Sequence, residues 1–158
     1  PGMRTGFIIS ENKELLKYLS IAKEASDLHT NVFSQYLIWD YLKNNDLDMH
    51  IAKIKALYKK QAQTMMDAME QYFPPAVTYT KPHGGMFLWV TLPEGVSAMS
   101  LFPKALEKKV AFVPGDPFYI GTKNANTMRL NYTNADCETI AEGIHRLGDL
   151  LKEILSSY

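Results

Sequence analysis

Apolar residues step by three or four through the middle of the chain. Leu47, Ile51, Ile54, Tyr58, Ala62, Met65, Met69 and Tyr72 fall on one side of a long helix, which Pro74-Pro75 ends. A second stripe of the same period, Ile140, Ile144, Leu147, Leu151 and Ile154, predicts a C-terminal helix. Thr133 stands ahead of it as a cap, with Asp136 three residues on as a capping-box variant. Residues 12–23 read as a helix with Leu15, Leu16, Leu19 and Ala22 on one side. Residues 31–43 are also helical, but apolar around much of the circumference through Val32, Phe33, Tyr36, Leu37, Ile38, Trp39 and Leu42. Such a helix is buried on several sides or lies at an interface.

Strand patterns lie between these helices. Residues 3–10 read as a short strand, and 77–80, 86–91 and 110–113 as three more. Residues 127–132 alternate cleanly: Met128, Leu130 and Tyr132 share one face, Thr127, Arg129 and Asn131 the other. Residues 97–109 are helical, but Pro103 is costly in a helix interior, so the regular part is placed from near Ser100. Pro82-His83-Gly84-Gly85 and Pro114-Gly115-Asp116-Pro117 are turns, and only secondarily places where backbone nears a ligand. The sum is an α/β chain: a small, mostly antiparallel or mixed sheet with helices packed on it, preceded by two helices without an obvious home.

Composition narrows the function classes. The 158 residues suit one domain with a real core, and 46% hydrophobic against 22% charged residues is ordinary for a globular chain. Basic and acidic residues are 17 each, and the absence of a basic block argues against nucleic acid as the main partner. Cys137 is the single cysteine, which excludes an internal disulfide and points to a reducing compartment, the cytoplasm. No apolar run approaches the roughly 20 residues of a membrane span. The opening Pro1-Gly2-Met3-Arg4-Thr5-Gly6, running straight into Phe7-Ile8-Ile9, reads either as a tag remnant ahead of Met3 or as a cut inside a longer chain.

Two arginines stand out chemically. Arg129 lies mid-strand on a polar face, where its guanidinium fork matches a carboxylate bidentately; the plainer alternative is a solvated arginine on a half-exposed sheet. Arg4, between Gly2 and Gly6, can approach a phosphate closely, or is a loop charge. His29, His50, His83 and His145 have no metal spacing, and no metal ligand set is expected. Met65, Met66 and Met69 read as core, and Phe87, Trp89, Phe112, Phe118 and Tyr119 as core by default.

Four segments taken in order resemble one family. Pro1-Gly2-Met3-Arg4-Thr5-Gly6, His83-Gly84-Gly85-Met86-Phe87-Leu88-Trp89, Val113-Pro114-Gly115-Asp116-Pro117-Phe118-Tyr119 and Met128-Arg129-Leu130-Asn131-Tyr132 resemble segments of class I/II aminotransferases of fold type I, which use pyridoxal 5'-phosphate (PLP). The 2-aminoadipate and kynurenine branch is the most similar, with multi-substrate aromatic and branched-chain enzymes beside it.

The resemblance implies an aminotransferase small-domain-like sheet over residues 46–158. Residues 1–45 would be the remnant of a large PLP-binding domain with connecting helices. It implies that Arg4 binds the cofactor phosphate, Arg129 the α-carboxylate of the substrate, and that Phe118 lines the side-chain pocket. Residues 29–35 resemble a stretch near a dimer interface, so a homodimer is implied. The lysine that carries PLP is implied to lie just ahead of Pro1, so no catalytic residue is nominated here and the chain alone is expected to be inactive. The implied intact protein moves an amino group from an amino acid (2-aminoadipate, kynurenine or an aromatic amino acid) to a 2-keto acid. The alternative is the aminotransferase-like, PLP-sensing domain of a transcription regulator.

Overall fold

The computed structural model describes residues 2–121 and 124–156. The chain divides into two compact units, residues 1–51 and 52–158.

The first unit is helical. Helix α1 (Lys13–Asp27) starts where the Asn12 side chain accepts the Leu15 N–H at 3.0 Å, and α2 (Val32–Asn44) starts the same way, with Asn31 accepting from Ser34 at 2.9 Å. Each cap satisfies a backbone donor that the first helical turn leaves without a partner. Residues 4–10, expected as a strand, have no regular structure, and no strand lies among residues 2–51. The run Phe7-Ile8-Ile9 has strand composition, but a strand exists only through ladder partners, and none is present here. No residue from 2 to 51 is buried, and Phe7, Ile9 and Phe33 are more than two-thirds exposed. Helix α2, apolar all round, therefore buries none of its faces.

Helix α3 (Leu47–Tyr72) begins at Asp46, whose carboxylate accepts the Met49 N–H at 2.9 Å. Its later turns carry the stripe the sequence marks: Ala62, Met65 and Met69 are buried, and Ala68, outside that stripe, is buried with them. Gln61 is buried beside them and donates to the Ala135 carbonyl at 2.6 Å, tying the helix to the segment before the last one.

The sheet is fully antiparallel and has the order β1 (Thr78–Tyr79), β2 (Phe87–Thr91), β4 (Thr127–Asn131), β3 (Val113–Pro114). The third strand falls later than residues 110–113, because Lys109 adopts a left-handed conformation (φ 60°) that ends the preceding helix and carries Val110 and Phe112 away from the ladder. Pro114 is accommodated because β3 is an edge strand, where a missing N–H costs no ladder bond. In the long pair, Trp89 stands opposite Arg129, with Leu88 opposite Leu130 and Val90 opposite Met128.

Helix α4 (Ala98–Glu107) starts before the expected Ser100 and contains Pro103. Ser97 caps it, accepting from Ser100 at 3.2 Å. Pro103 removes one helical hydrogen bond, but its ring is exposed, and the burial of Ala98, Leu101 and Ala105 holds the helix across it. The last helix, α5 (Cys137–Leu155), is capped by Asp136, which accepts from Thr139 at 2.8 Å, and not by Thr133. Thr133 instead donates from its N–H and hydroxyl to the Asn131 side chain at the end of β4. Ile140, Ile144, Leu147 and Leu151 of α5 are buried, and Ile154 is half-buried.

One core joins these parts. Leu88, Val90, Met128 and Leu130 project from one sheet face into the same cluster as Met69, Leu101, Ile144 and Leu147. Truncating any of the large ones to alanine costs about 2–5 kcal/mol. The helices thus cover one face of the sheet, and the residues of the other parity are left to form a site.

Candidate functional site

Strand alternation decides what that second face carries. Phe87, Trp89 and Thr91 from β2, Thr127, Arg129 and Asn131 from β4, and Val113 from β3 share it. Phe87, Asn131 and Val113 are exposed and Trp89 and Arg129 half-buried, whereas the opposite parity is sealed.

Arg129 is at the centre, on an inner strand. Its guanidinium carbon lies 4.0 Å from the centroid of the Phe87 ring and 5.0 Å from that of Phe118. Such placement over aromatic faces attracts the cation, by about 0.5–2 kcal/mol per ring depending on desolvation. Nε is buried without a hydrogen-bond partner. Among the described residues no carboxylate forms an ion pair with Arg129. The charge is therefore held by rings and left without a counter-ion, a state suited to taking an anionic ligand.

The loop after β3 builds the wall. Gly115 donates to the Thr127 carbonyl at 2.7 Å and lies so close to Thr127 that a side chain there would strike its backbone and hydroxyl. This anchors a short 3-10 turn, Asp116–Phe118, stabilised further by the Ala125 N–H donating to Asp116 at 3.3 Å. Phe118 then meets Trp89 edge-on, with ring centroids 5.2 Å apart, and Tyr119 lies 6.3 Å from the same indole. At the far end, Tyr132 is buried and donates to the Gly84 carbonyl at 3.4 Å, fixing the turn ahead of Phe87. Burial pushes its phenol pKa up, with Tyr58 adding to the shift, so it remains a donor at neutral pH.

In the first unit, Arg4 is exposed with φ 52°, between Gly2 and Gly6, and has no ion-pair partner among the described residues. An unneutralised arginine in a glycine-flanked loop has the donor set a phosphate requires.

No protein-family model matches the chain. Among curated proteins it is 46% identical over 153 residues to an aromatic-amino-acid aminotransferase of Thermococcus litoralis, covering 97% of this chain and 36% of that protein. It is 43% identical to the 2-aminoadipate transaminase of Thermus thermophilus, covering 99% of this chain and 39% of the relative. A solved α-aminoadipate aminotransferase, also of Thermus thermophilus and complexed with N-(5'-phosphopyridoxyl)-L-leucine, superposes with a TM-score of 0.88 at 42% identity. That match covers all of this chain and 40% of that one.

The chain is homologous to the C-terminal part of aminotransferases. It spans about two-fifths of the length of the relatives it matches. More distant is an uncharacterised HTH-type transcriptional regulator of Bacillus subtilis, 27% identical over 99% of the chain and 32% of the regulator.

Arg129 and Phe118 come together on one face, as neighbours. Arg4 lies in the other unit. The default assignment of the aromatic residues to the core holds for Phe112, which is buried against Phe102, but not for Phe87, Phe118 and Tyr119. The signal is present in β2: Phe87 and Trp89 have the opposite parity to Leu88 and Val90, as Arg129 has to Met128 and Leu130. Among the described residues no group of three or more His, Cys, Asp or Glu is placed to hold a metal, and no helix is long and apolar enough to cross a membrane.

Proposed function

We propose that the protein carrying this chain is a PLP-dependent transaminase, moving an amino group from an amino acid of the 2-aminoadipate, kynurenine or aromatic kind to a 2-keto acid. The observation that carries this is Arg129: a guanidinium on the uncovered sheet face, ringed by aromatic side chains and with no carboxylate partner among the described residues. The homology to aminotransferases supports it.

In this reading Arg129 binds the α-carboxylate of the amino acid or keto acid and so fixes the substrate's orientation at its reacting carbon. Phe118 lines the side-chain pocket. Arg4 binds the phosphate of PLP; its guanidinium, exposed and without an ion-pair partner among the described residues, fits that one corner of the cofactor. When bound, PLP supplies the electron sink for the transfer. The lysine that bears it is not assigned to any position of this chain, and the 158 residues alone are proposed to be inactive. The exposed apolar residues of the first unit, Phe7, Ile9 and Phe33 among them, suit a homodimer. The single cysteine agrees with a cytoplasmic location.

The test is a coupled transamination assay on the full-length protein with 2-aminoadipate, kynurenine and phenylalanine as donors. Arg129→Ala should raise KM about 10- to 100-fold, the loss of a charge-assisted hydrogen-bonded pair. A second reading, the PLP-sensing domain of a transcription regulator, is supported by the more distant 27% relative. Full-length protein that binds PLP without turnover would favour it.

A further inference from the structure

Arg129 has to stay charged, unneutralised and fixed in direction, and on its own element nothing arranges this. The side chains of its strand neighbours Thr127 and Asn131 are otherwise engaged: the Thr127 hydroxyl donates to the Tyr119 hydroxyl at 3.4 Å, and the Asn131 amide oxygen accepts both bonds from Thr133. The fixing comes from the adjacent strand. Phe87 is the diagonal cross-strand neighbour of Arg129, on the same face as Trp89, and presents its ring to the guanidinium at 4.0 Å. An acidic partner would hold the side chain as firmly but would compete with an incoming carboxylate. A ring attracts the cation through its quadrupole and uses none of its N–H donors. Nε is sealed, whereas neither Nη nitrogen is buried without a partner, so the terminal fork is the part left to a ligand.

We propose that Phe87 is a positioning residue for Arg129, its ring face holding the guanidinium so that the Nη fork meets the carboxylate of the substrate. The inference rests on the carboxylate role of Arg129 given above. Phe87 acts through Arg129, and its effect is therefore independent of the ligand's side chain. Phe118, at 5.0 Å, gives a second and weaker face.

The experiment measures equilibrium binding to the PLP-loaded full-length protein by calorimetry. The probes are propionate, 3-phenylpropionate and the uncharged 3-phenylpropan-1-ol. Phe87→Leu retains apolar cover but has no ring face. It should weaken both carboxylates by the same factor, about five- to tenfold, and leave the alcohol unchanged. Phe87→Tyr should bind like the unaltered protein, and Phe87→3,5-difluorophenylalanine, nearly isosteric with a depleted ring face, should fall between. Equal affinity of all variants for propionate overturns the proposal. So does a loss confined to the two phenyl-bearing probes, which would make Phe87 a side-chain contact. Arg129→Ala with unchanged carboxylate binding would instead remove the carboxylate site itself, and the positioning role with it.

Discussion

Gly148 of α5 lies directly against the backbone of Tyr72 at the end of α3. A Cβ built on it would come within 2.7 Å of the Tyr72 carbonyl oxygen and 2.9 Å of its Cβ. Neither can yield without moving a helix end. Glycine in a helix interior normally gives way to alanine with a gain of roughly 0.5–1 kcal/mol. Here the sign reverses. Gly148→Ala should destabilise the protein by about 1–3 kcal/mol, the range for overpacking a close contact. Urea unfolding of the two proteins side by side measures this, and a rise in midpoint would mean the helices separate freely.

Gly115 makes the other close approach, to Thr127, and its consequence is local. Gly115→Ala should push the turn that bears Phe118 away from β4, opening the edge-on contact between Phe118 and Trp89. Trp89 is one of two tryptophans in these 158 residues, so in this chain its fluorescence can be read alone in a Trp39→Phe background. The expected result is a shifted emission maximum together with weaker carboxylate binding. An unchanged spectrum would separate the Gly115 contact from the aromatic wall.

These two glycines also mark where sequence reading stops. The stripe of α5 and the alternation of β4 are periodic, so Ile144 and Arg129 can be assigned to faces without a structure. Gly148 interrupts no period and stands beside Leu147 as an ordinary helix residue; its meaning depends on Tyr72, 76 positions away. Thr133 and Asp136 compete for one cap on equal chemistry, and the Asn131 side chain decides the matter by engaging Thr133. Pro103 reads as a boundary because a proline costs about 3 kcal/mol in isolation, yet tertiary burial on the opposite side of α4 outweighs it. For residues 3–10 composition is a poor guide, since pairing partners are not a property of the segment. Phe87 is legible by parity, but its residue type argues for the core, where most aromatic residues lie.

Asp136 gives a pH prediction. Hydrogen bonds from Thr139, side chain first and backbone second, hold its carboxyl below the ordinary value. A depressed folded pKa means a contribution fully present above the unfolded value of about 3.9 and lost as pH falls through the folded value. Asparagine caps as well as aspartate but carries no charge. The urea midpoint of Asp136→Asn should therefore lie below that of the parent at pH 7 and converge on it as pH falls through the folded value. Glu142, lowered chiefly by its hydrogen bond from Arg146, titrates in the same direction and is common to both proteins. A midpoint difference that persists unchanged in acid would show that the charge at the cap is irrelevant.

Pro103→Ala should stabilise. The ring is exposed, so little packing is lost, and alanine restores the N–H that α4 lacks. The gain is expected at about 1 kcal/mol, below the full helix penalty because proline also restricts the unfolded chain. A thermal melt reads it as a rise in Tm; a fall would mean that Pro103 itself seats Leu101 or Ala105.

The parity of β2 and β4 separates two kinds of selection on adjacent residues. Leu88, Val90, Met128 and Leu130 answer to the core, while Phe87, Trp89 and Arg129, interleaved with them, answer to whatever meets the open face. A substitution on one set leaves the other's surroundings nearly intact, because neighbours along a strand point apart. With Phe118 lining the side-chain pocket as proposed above, specificity can drift there through many variants before the fold registers any of them. A random library confined to that parity should stay folded while its ligand preferences diverge.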